Sequence, residues 1–390
     1  MKKIRTRIEA VDALRGFAIF SILIIHCSNY FMDGLEIERQ GTPFWEAVNS
    51  TTKSMLYFMF EGKAYGLFAL LFGFTFGIQY YKAAGQKKRF TIRFLWRMLL
   101  LAGFGVLNAA FFAGGDPLIF MAMVAIILPL TARLSSKALL IIAAVLFLQP
   151  LEWFKIISLW LNPNTKLVWY TGGFYEAVRP AVANGEFIPM VWSNITVGLQ
   201  ACLAWAFEYG RISQTPGLYI LGFLMYRHGL FNRTDASFWD RLCFFTLIST
   251  PLLFVVKAVP PTTSLIQAPL QVVFSMWYNL SFMLLMASLF IILYRSEGFR
   301  RLTVPLKWYG KMSLTNYIFQ SIIATALFYP YGLNIAAYAG VAASVLIGLG
   351  IAALQIAFSY LWLNRYKQGP FEFIWHKATY LQVTVPVLNR

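Results

Sequence analysis

Apolar residues gather in long, sparsely charged blocks near 14–31, 63–81, 91–112, 117–133, 137–158, 209–228, 241–258, 269–294, 312–329 and 336–363, separated by short polar or basic segments. A helix needs about 20 apolar residues to cross a bilayer's hydrocarbon core. The pattern therefore predicts an all-α, polytopic helical membrane protein, a single integral domain over 1–390 with about ten transmembrane helices. An additional apolar stretch at 190–207 makes eleven an alternative. Outer loops are expected at 32–60 and 159–189, the second rich in Trp, Tyr, Asn, Gly and Pro.

Composition strengthens this picture: 59% of residues are hydrophobic, 17% aromatic and only 13% charged, well below the charged share of a soluble domain. The formal charge of +17 does not indicate a nucleic-acid partner, because the basic residues fall in short segments between apolar blocks. They act instead as orientation signals. With both termini cytoplasmic, most of the 33 Lys and Arg lie on inner segments, as the positive-inside rule requires. Counting 190–207 as a full span would invert the basic segments that follow it. That stretch is therefore read as a re-entrant or buried helix, entering the sixth span through a break at Thr215, Pro216 and Gly217. The N-terminus resembles a signal peptide but lacks a small-x-small cleavage site, so it is expected to remain as the first span. Cys27, Cys202 and Cys243 read as packing residues.

Ionisable and polar groups inside spans are costly and mark functional positions or interhelical contacts. Asp12 and Arg15 stand at the inner end of the first span, with His26 eleven residues beyond Arg15. Eleven helical steps return to within ~20° of the starting face and rise roughly 16 Å. Arg15 and His26 thus share a face at two depths, a layout suited to gripping an anionic head and doing proton chemistry at its far end. The second span opens with Glu61-Gly62-Lys63, followed by Gly66, Gly73 and Gly77, small residues that admit a close neighbouring helix. Asn108 precedes Gly114-Gly115-Asp116-Pro117, where Asp116 fits a helix N-cap and Pro117 the first helical position. Asn316 and Gln320, one turn apart with Ser313 a turn earlier, form a polar stripe of interhelical contact or substrate lining. Glu208 and Arg211 are spaced to neutralise one another. His228 and His376 lie at inner ends, poor places for catalysis. No nucleotide-binding P-loop, nucleophile elbow or metal-ligand spacing is present, so no metal and no permanently bound cofactor are expected.

These residues resemble the bacterial YeiB-like family of membrane proteins (domain of unknown function 418). The resemblance rests on Asp12-x-x-Arg15-Gly16, Gly62-Lys63, Leu67-Phe68, Leu71-Phe72-Gly73 and Gly115-Asp116. It continues in Leu221-Gly222-x-x-Met225-x-Arg227-x-Gly229-Leu230, then Gly310-Lys311-Met312-Ser313-Leu314-Thr315-Asn316-Tyr317-x-x-Gln320-Ser321, and closes with Gly369-Pro370-x-Glu372-x-x-Trp375. It spans nearly the whole chain.

That family in turn is similar to the transmembrane acyltransferase superfamily, which includes acyltransferase family 3 and the heparan glucosaminide acetyltransferase type. The resemblance implies transfer of an acyl group from cytoplasmic acyl-CoA, acetyl-CoA among the donors, to an acceptor on the opposite face: an envelope glycan, a lipid or a small molecule. It aligns His26 with the family 3 histidine proposed as catalytic base, and Arg15 with its inner-mouth arginine. Two departures stand out: this chain has His26 where the YeiB-like pattern usually has Asn, and Asn108-Ala109 where it usually has His-Gly. An exchange of imidazole and amide between facing helices would leave His26 and Asn108 lining one cavity.

The expectation is therefore an acyl-CoA-dependent O- or N-acyltransferase of the bacterial cytoplasmic membrane. His26 serves as base, Asn108 or Asn316 steadies the oxyanion, and Arg15, Arg93 and Arg97 hold the CoA phosphates. Asp12, Glu61, Lys63, Asp116, Tyr317 and Gln320 line the substrate cavity. The alternative is a transporter or exporter of a lipid-linked or small anionic compound, with no covalent step. The partners are the lipid bilayer, acyl-CoA and the acceptor, with assembly into a homo-oligomer left open.

Overall fold

The computed structural model of the chain describes residues 8–31, 42–83, 87–112, 114–164, 167–231, 236–258 and 266–381. The basic residues before Ile8 and the 32–41 part of the expected first outer loop lie outside these. The described secondary structure is entirely helical. In chain order the helices are α1 (Glu9–Ile25), α2 (Pro43–Phe60), α3 (Lys63–Lys82), α4 (Lys87–Ala109), α5 (Pro117–Val124), α6 (Ile127–Thr131), α7 (Ser136–Phe147) and α8 (Pro150–Leu161). There follow α9 (Thr171–Ala183), α10 (Phe187–Ser193), α11 (Leu199–Glu208), α12 (Arg211–Arg227), α13 (Ala236–Ala258) and α14 (Gln267–Leu293). The last are α15 (Glu297–Leu302), α16 (Val304–Lys311), α17 (Ser313–Phe328), α18 (Val341–Arg365) and α19 (Pro370–Leu381).

Every predicted apolar block coincides with a helix or a broken pair of helices, but the blocks do not all span in the same sense. Among the described residues, seven helical segments are long and apolar enough to cross a membrane, or eight if α7 and α8, bent by 44° at Leu148–Gln149, count as one. The helices α12 and α17 fall short of that length; both lie deep in the bundle, where a short helix is covered by its neighbours rather than by lipid. The stretch read as a re-entrant or buried helix lies within one helical run, Phe187–Glu208, which is long and apolar enough to cross a membrane. It holds a π-helical turn at Asn194–Gly198. The break expected at Thr215–Gly217 falls earlier, at Gly210, whose φ of +68° ends one helix and starts the next. Pro216 sits inside α12 without interrupting it, one turn past the start, where only one upstream carbonyl loses its partner. The expected outer loops also carry helices, α2 in the first and α9 in the second.

Glycines set the two tightest crossings. A Cβ on Gly16 would strike the Leu306 carbonyl and one on Gly310 would strike that of Asp12, so α1 and α16 cross backbone to backbone. Likewise a Cβ on Gly73 would meet the Tyr219 carbonyl and one on Gly222 that of Leu70, locking α3 to α12. These four residues belong to the motifs that carry the resemblance, and close approach without a side chain is the packing mode available where lipid gives little hydrophobic drive. The main core forms where α1, α3, α12, α14 and α17 converge around Leu14, Leu70, Phe74, Tyr219, Phe223 and Ile318.

A column of cavities between Arg15 and His26

Three cavities follow the inward face of α1. The largest, about 690 Å³, is lined by Arg15, Lys82, Arg93, Arg97 and His376, with Asp12 as the one carboxylate among its lining residues. Partial burial and the nearby Arg97 charge hold His376 below the usual imidazole range, so the fixed positive charge there comes from the arginines and Lys82. The second cavity, about 180 Å³, shares Arg15, Thr75, Gln79, Phe94 and Arg97 with the first and adds Lys311, Ser313, Glu372 and Trp375. The third, about 120 Å³, contains His26 and touches the second through a common wall of Phe68, Leu118, Met121 and Tyr317. The shared face derived from helical periodicity thus opens onto one column, with Arg15 at one end and His26 at the other.

Each end is built locally. Arg15 donates to Asp12 at 3.2 Å and to Thr75 Oγ1 at 2.9 Å, which ties its guanidinium to both α1 and α3. Arg93 and Arg97, one turn apart on α4, lie over Tyr380 (4.9 Å) and Trp375 (4.2 Å) of α19. Stacking spares a guanidinium's edge for an anion, and the three predicted phosphate-binding arginines therefore converge. Glu372 fixes the other side: its carboxylate accepts from the Leu314 N–H (2.7 Å), the Thr315 N–H (3.2 Å) and the Thr315 hydroxyl (2.6 Å), capping α17. Burial nonetheless raises its pKa above the usual carboxylate range, against the pull of these bonds. At the far end His26 begins a π-helical turn, His26–Tyr30, closed by the Phe31 N–H donating to the His26 carbonyl at 3.1 Å. Its ring lies 4.7 Å from Phe112 and 5.9 Å from Phe31. Single π turns recur at functional positions because they re-aim a side chain without ending the helix.

Between the ends runs a buried polar chain. Asp116 caps α5 through the Leu118 N–H, as its sequence context predicts, and also accepts from the Asn108 amide and the Tyr317 hydroxyl. Tyr317 faces both the second and the third cavity. Asn108 and Asp116 are fully buried behind Gly115, Pro117 and Leu118, which form the wall itself. Asn108 therefore does not share the His26 cavity directly, as the residue exchange implied; it reaches it through Asp116 and Tyr317.

Several other expected lining residues lie elsewhere. Lys63 is buried with its ammonium donating to the Tyr57 carbonyl at 3.2 Å and lying over the Tyr278 and Phe282 rings. Asn316 is engaged in helix contacts: its side-chain amide donates to the Tyr309 carbonyl (3.0 Å) and the Ser359 hydroxyl (2.9 Å), while its backbone carbonyl accepts from the Gln355 amide (2.9 Å). Gln320 is buried on the same helix and lines none of the three cavities. Within the polar stripe of α17, Asn316 thus serves helix contact, while Ser313 lines the second cavity beside Tyr317. Glu61 does line the His26 cavity, at its exposed rim.

Arg211 is the site residue that spacing concealed. Glu208 does not neutralise it; that carboxylate accepts from the Tyr170 N–H (2.6 Å), the Thr171 N–H (3.2 Å) and the Thr171 hydroxyl, capping α9. Arg211 turns into the His26 cavity, buried, donating to Gln214 at 2.6 Å and packed over Tyr65 and Trp205. The available signal was an arginine in an apolar block directly after a glycine.

Comparison with known proteins agrees with the motif reading. The chain is 27% identical to Uncharacterized protein YxaH of Bacillus subtilis (strain 168), covering 96% of this chain and 94% of that protein. It is 27% identical to Uncharacterized protein YeiB of Escherichia coli (strain K12), covering 97% and 98%. A 39.9 kDa protein in the amylase 3′ region of Bacillus acidopullulyticus is 25% identical over 96% of this chain and 94% of its own length. No solved structure matches the chain. Residues 225–382 match the family described as Protein of unknown function (DUF418); over its whole length the chain is similar to YeiB and YxaH, and its apolar helices are those of a membrane-type helical protein.

Proposed function

We propose that this protein is an acyl-CoA-dependent acyltransferase of the bacterial cytoplasmic membrane, with the Arg15 end of the column facing the cytoplasm. The supporting observation is the column itself: a cation-rich mouth of Arg15, Lys82, Arg93 and Arg97 continues inward to a wall beyond which stands His26. CoA phosphates suit such a mouth, since guanidinium groups bind phosphoryl oxygens with charge-assisted, directional bonds. The middle cavity, lined by Phe68, Phe72, Phe76, Phe94 and Met98, is apolar enough to guide the thioester end.

In the transfer step the acceptor oxygen or nitrogen attacks the thioester carbonyl while the His26 imidazole takes its proton. The C–S bond then breaks, and the thiolate of CoA leaves and recovers a proton. A half-buried imidazole against Phe112 is positioned as a general base, a role worth about 10²- to 10⁴-fold in rate. Tyr317 stands at the wall with its hydroxyl proton given to Asp116, and Asn108 acts through Asp116 to hold that tyrosine in place.

The test is transfer of radiolabelled acetate from acetyl-CoA by inside-out vesicles, together with thermal shift of the purified protein by CoA and acyl-CoAs. Saturable stabilisation that Arg15→Ala removes, with label appearing in a covalent product, supports the reading. The same column of cavities also suits a transporter of an anionic compound, and movement of label across the membrane with no covalent product would replace the enzyme by that reading.

A further inference from the structure

We infer that the His26 cavity binds a phosphate monoester, so that its ligand is a phosphorylated glycan fragment, small molecule or lipid rather than a neutral one. Basic residues that the orientation rule places on the wrong side converge here. Arg211 lines the cavity itself, at most a few per cent exposed and aligned over Tyr65 and Trp205. Lys63 and Lys257 stand behind it, both over the Tyr278 ring at 4.8 and 5.2 Å. Lys63 lies in electrostatic reach of Lys257 and Arg211 and of one carboxylate, Glu61 at the rim. Around Lys63 the cations outnumber the one carboxylate in reach, a setting that favours an anion, and a phosphate monoester carries about −1.5 to −2 near neutral pH.

The surroundings fit such a head. Gly62, at φ +74°, lets the chain pass beside Arg211; a Cβ there would press on the Arg211 guanidinium (2.8 Å) and the Asn279 amide (2.6 Å). Tyr65, Trp205, Tyr175 and Phe60 give the cavity aromatic walls against which an organic body can lie. Placing positive charge in spans has a substantial cost, and Arg211 in the cavity lining with Lys63 and Lys257 behind it mark an anion site rather than scattered snorkelling side chains. The inference rests on the proposed function only for the ligand's role as acceptor; binding itself needs no acyl donor.

The test therefore omits acyl-CoA. Protein in phosphatidylcholine nanodiscs is titrated with sn-glycerol 3-phosphate and with glycerol, and protein in nanodiscs containing phosphatidate is compared with phosphatidylcholine alone, by thermal shift. Saturable stabilisation by glycerol 3-phosphate and not by glycerol assigns a soluble phosphate. Stabilisation confined to phosphatidate assigns a lipid one. Arg211→Gln should weaken whichever binds by about tenfold. Because that buried position can also affect folding, the deciding variant is Glu61→Gln, which leaves the cations in place and should tighten binding several-fold. Equal response to glycerol, no response to either phosphate, or unchanged affinity in Glu61→Gln overturns the inference. Binding of CoA to the same samples reports separately on the acyl-donor mouth, so each reading fails independently of the other.

Discussion

Arg97 and Trp375 hold each other twice: the guanidinium lies 4.2 Å over the indole ring, and the indole N–H donates to the Arg97 carbonyl at 3.0 Å. This pair fastens α19 to α4 and encloses the second cavity, which both residues line. Trp375→Phe keeps a ring under the guanidinium and loses one hydrogen bond, about 1 kcal/mol. Trp375→Ala removes both and about 2 kcal/mol or more. Thermal unfolding in detergent should rank the variants in that order, with limited proteolysis releasing the segment after Arg365 first in Trp375→Ala.

The glycine crossings predict a sharp contrast. Gly310→Ala and Gly222→Ala each drive a methyl into a backbone carbonyl of the facing helix, so each should destabilise by about 1–3 kcal/mol or prevent assembly. Gly103→Ala meets nothing within 4 Å and, in the interior of α4, should stabilise by about 0.5–1 kcal/mol. Equal melting temperatures for all three would refute the backbone-to-backbone packing.

His26→Ala removes the proposed base while leaving the π turn's backbone bonds in place. Acyl transfer should fall by at least 10²-fold with CoA affinity unchanged, because the CoA mouth lies at the other end of the column. Transfer that survives the substitution removes His26 from the mechanism.

Arg93→Gln and Arg15→Gln should each weaken CoA binding by about tenfold, and raising the salt concentration should weaken the parent protein's binding in the same direction. Isothermal titration of the purified protein measures both; a salt-independent affinity would mean the phosphates bind elsewhere.

Asp116 accepts bonds from Asn108, Tyr317 and the Leu118 N–H at once. Asp116→Ala should therefore cost about 2–4 kcal/mol, through the lost cap and the buried donors left behind. Asp116→Asn keeps an acceptor for the cap and should cost less. Circular dichroism melts of the two variants separate capping from a purely electrostatic role.

What depends on neighbours in the chain was legible without the fold. Apolar blocks of span length predicted helices because a helix satisfies its own backbone in lipid. The Asp116 cap followed from a proline placed just after it, and the common face of Arg15 and His26 from 100° per residue. Glycine spacing announced close crossings, yet not which helix fills each groove. The tertiary structure alone decided that Gly16 meets α16 and Gly73 meets α12. It alone turned Asn316 toward Ser359 and left Tyr317 facing the cavities, since both sit on one buried helix with protein all around. It also separated Glu208 from Arg211, neighbours by spacing: Gly210's left-handed backbone starts a new helix between them, sending one to cap α9 and the other into the His26 cavity. Local periodicity fixes direction within a helix; only packing between helices sets what that direction meets.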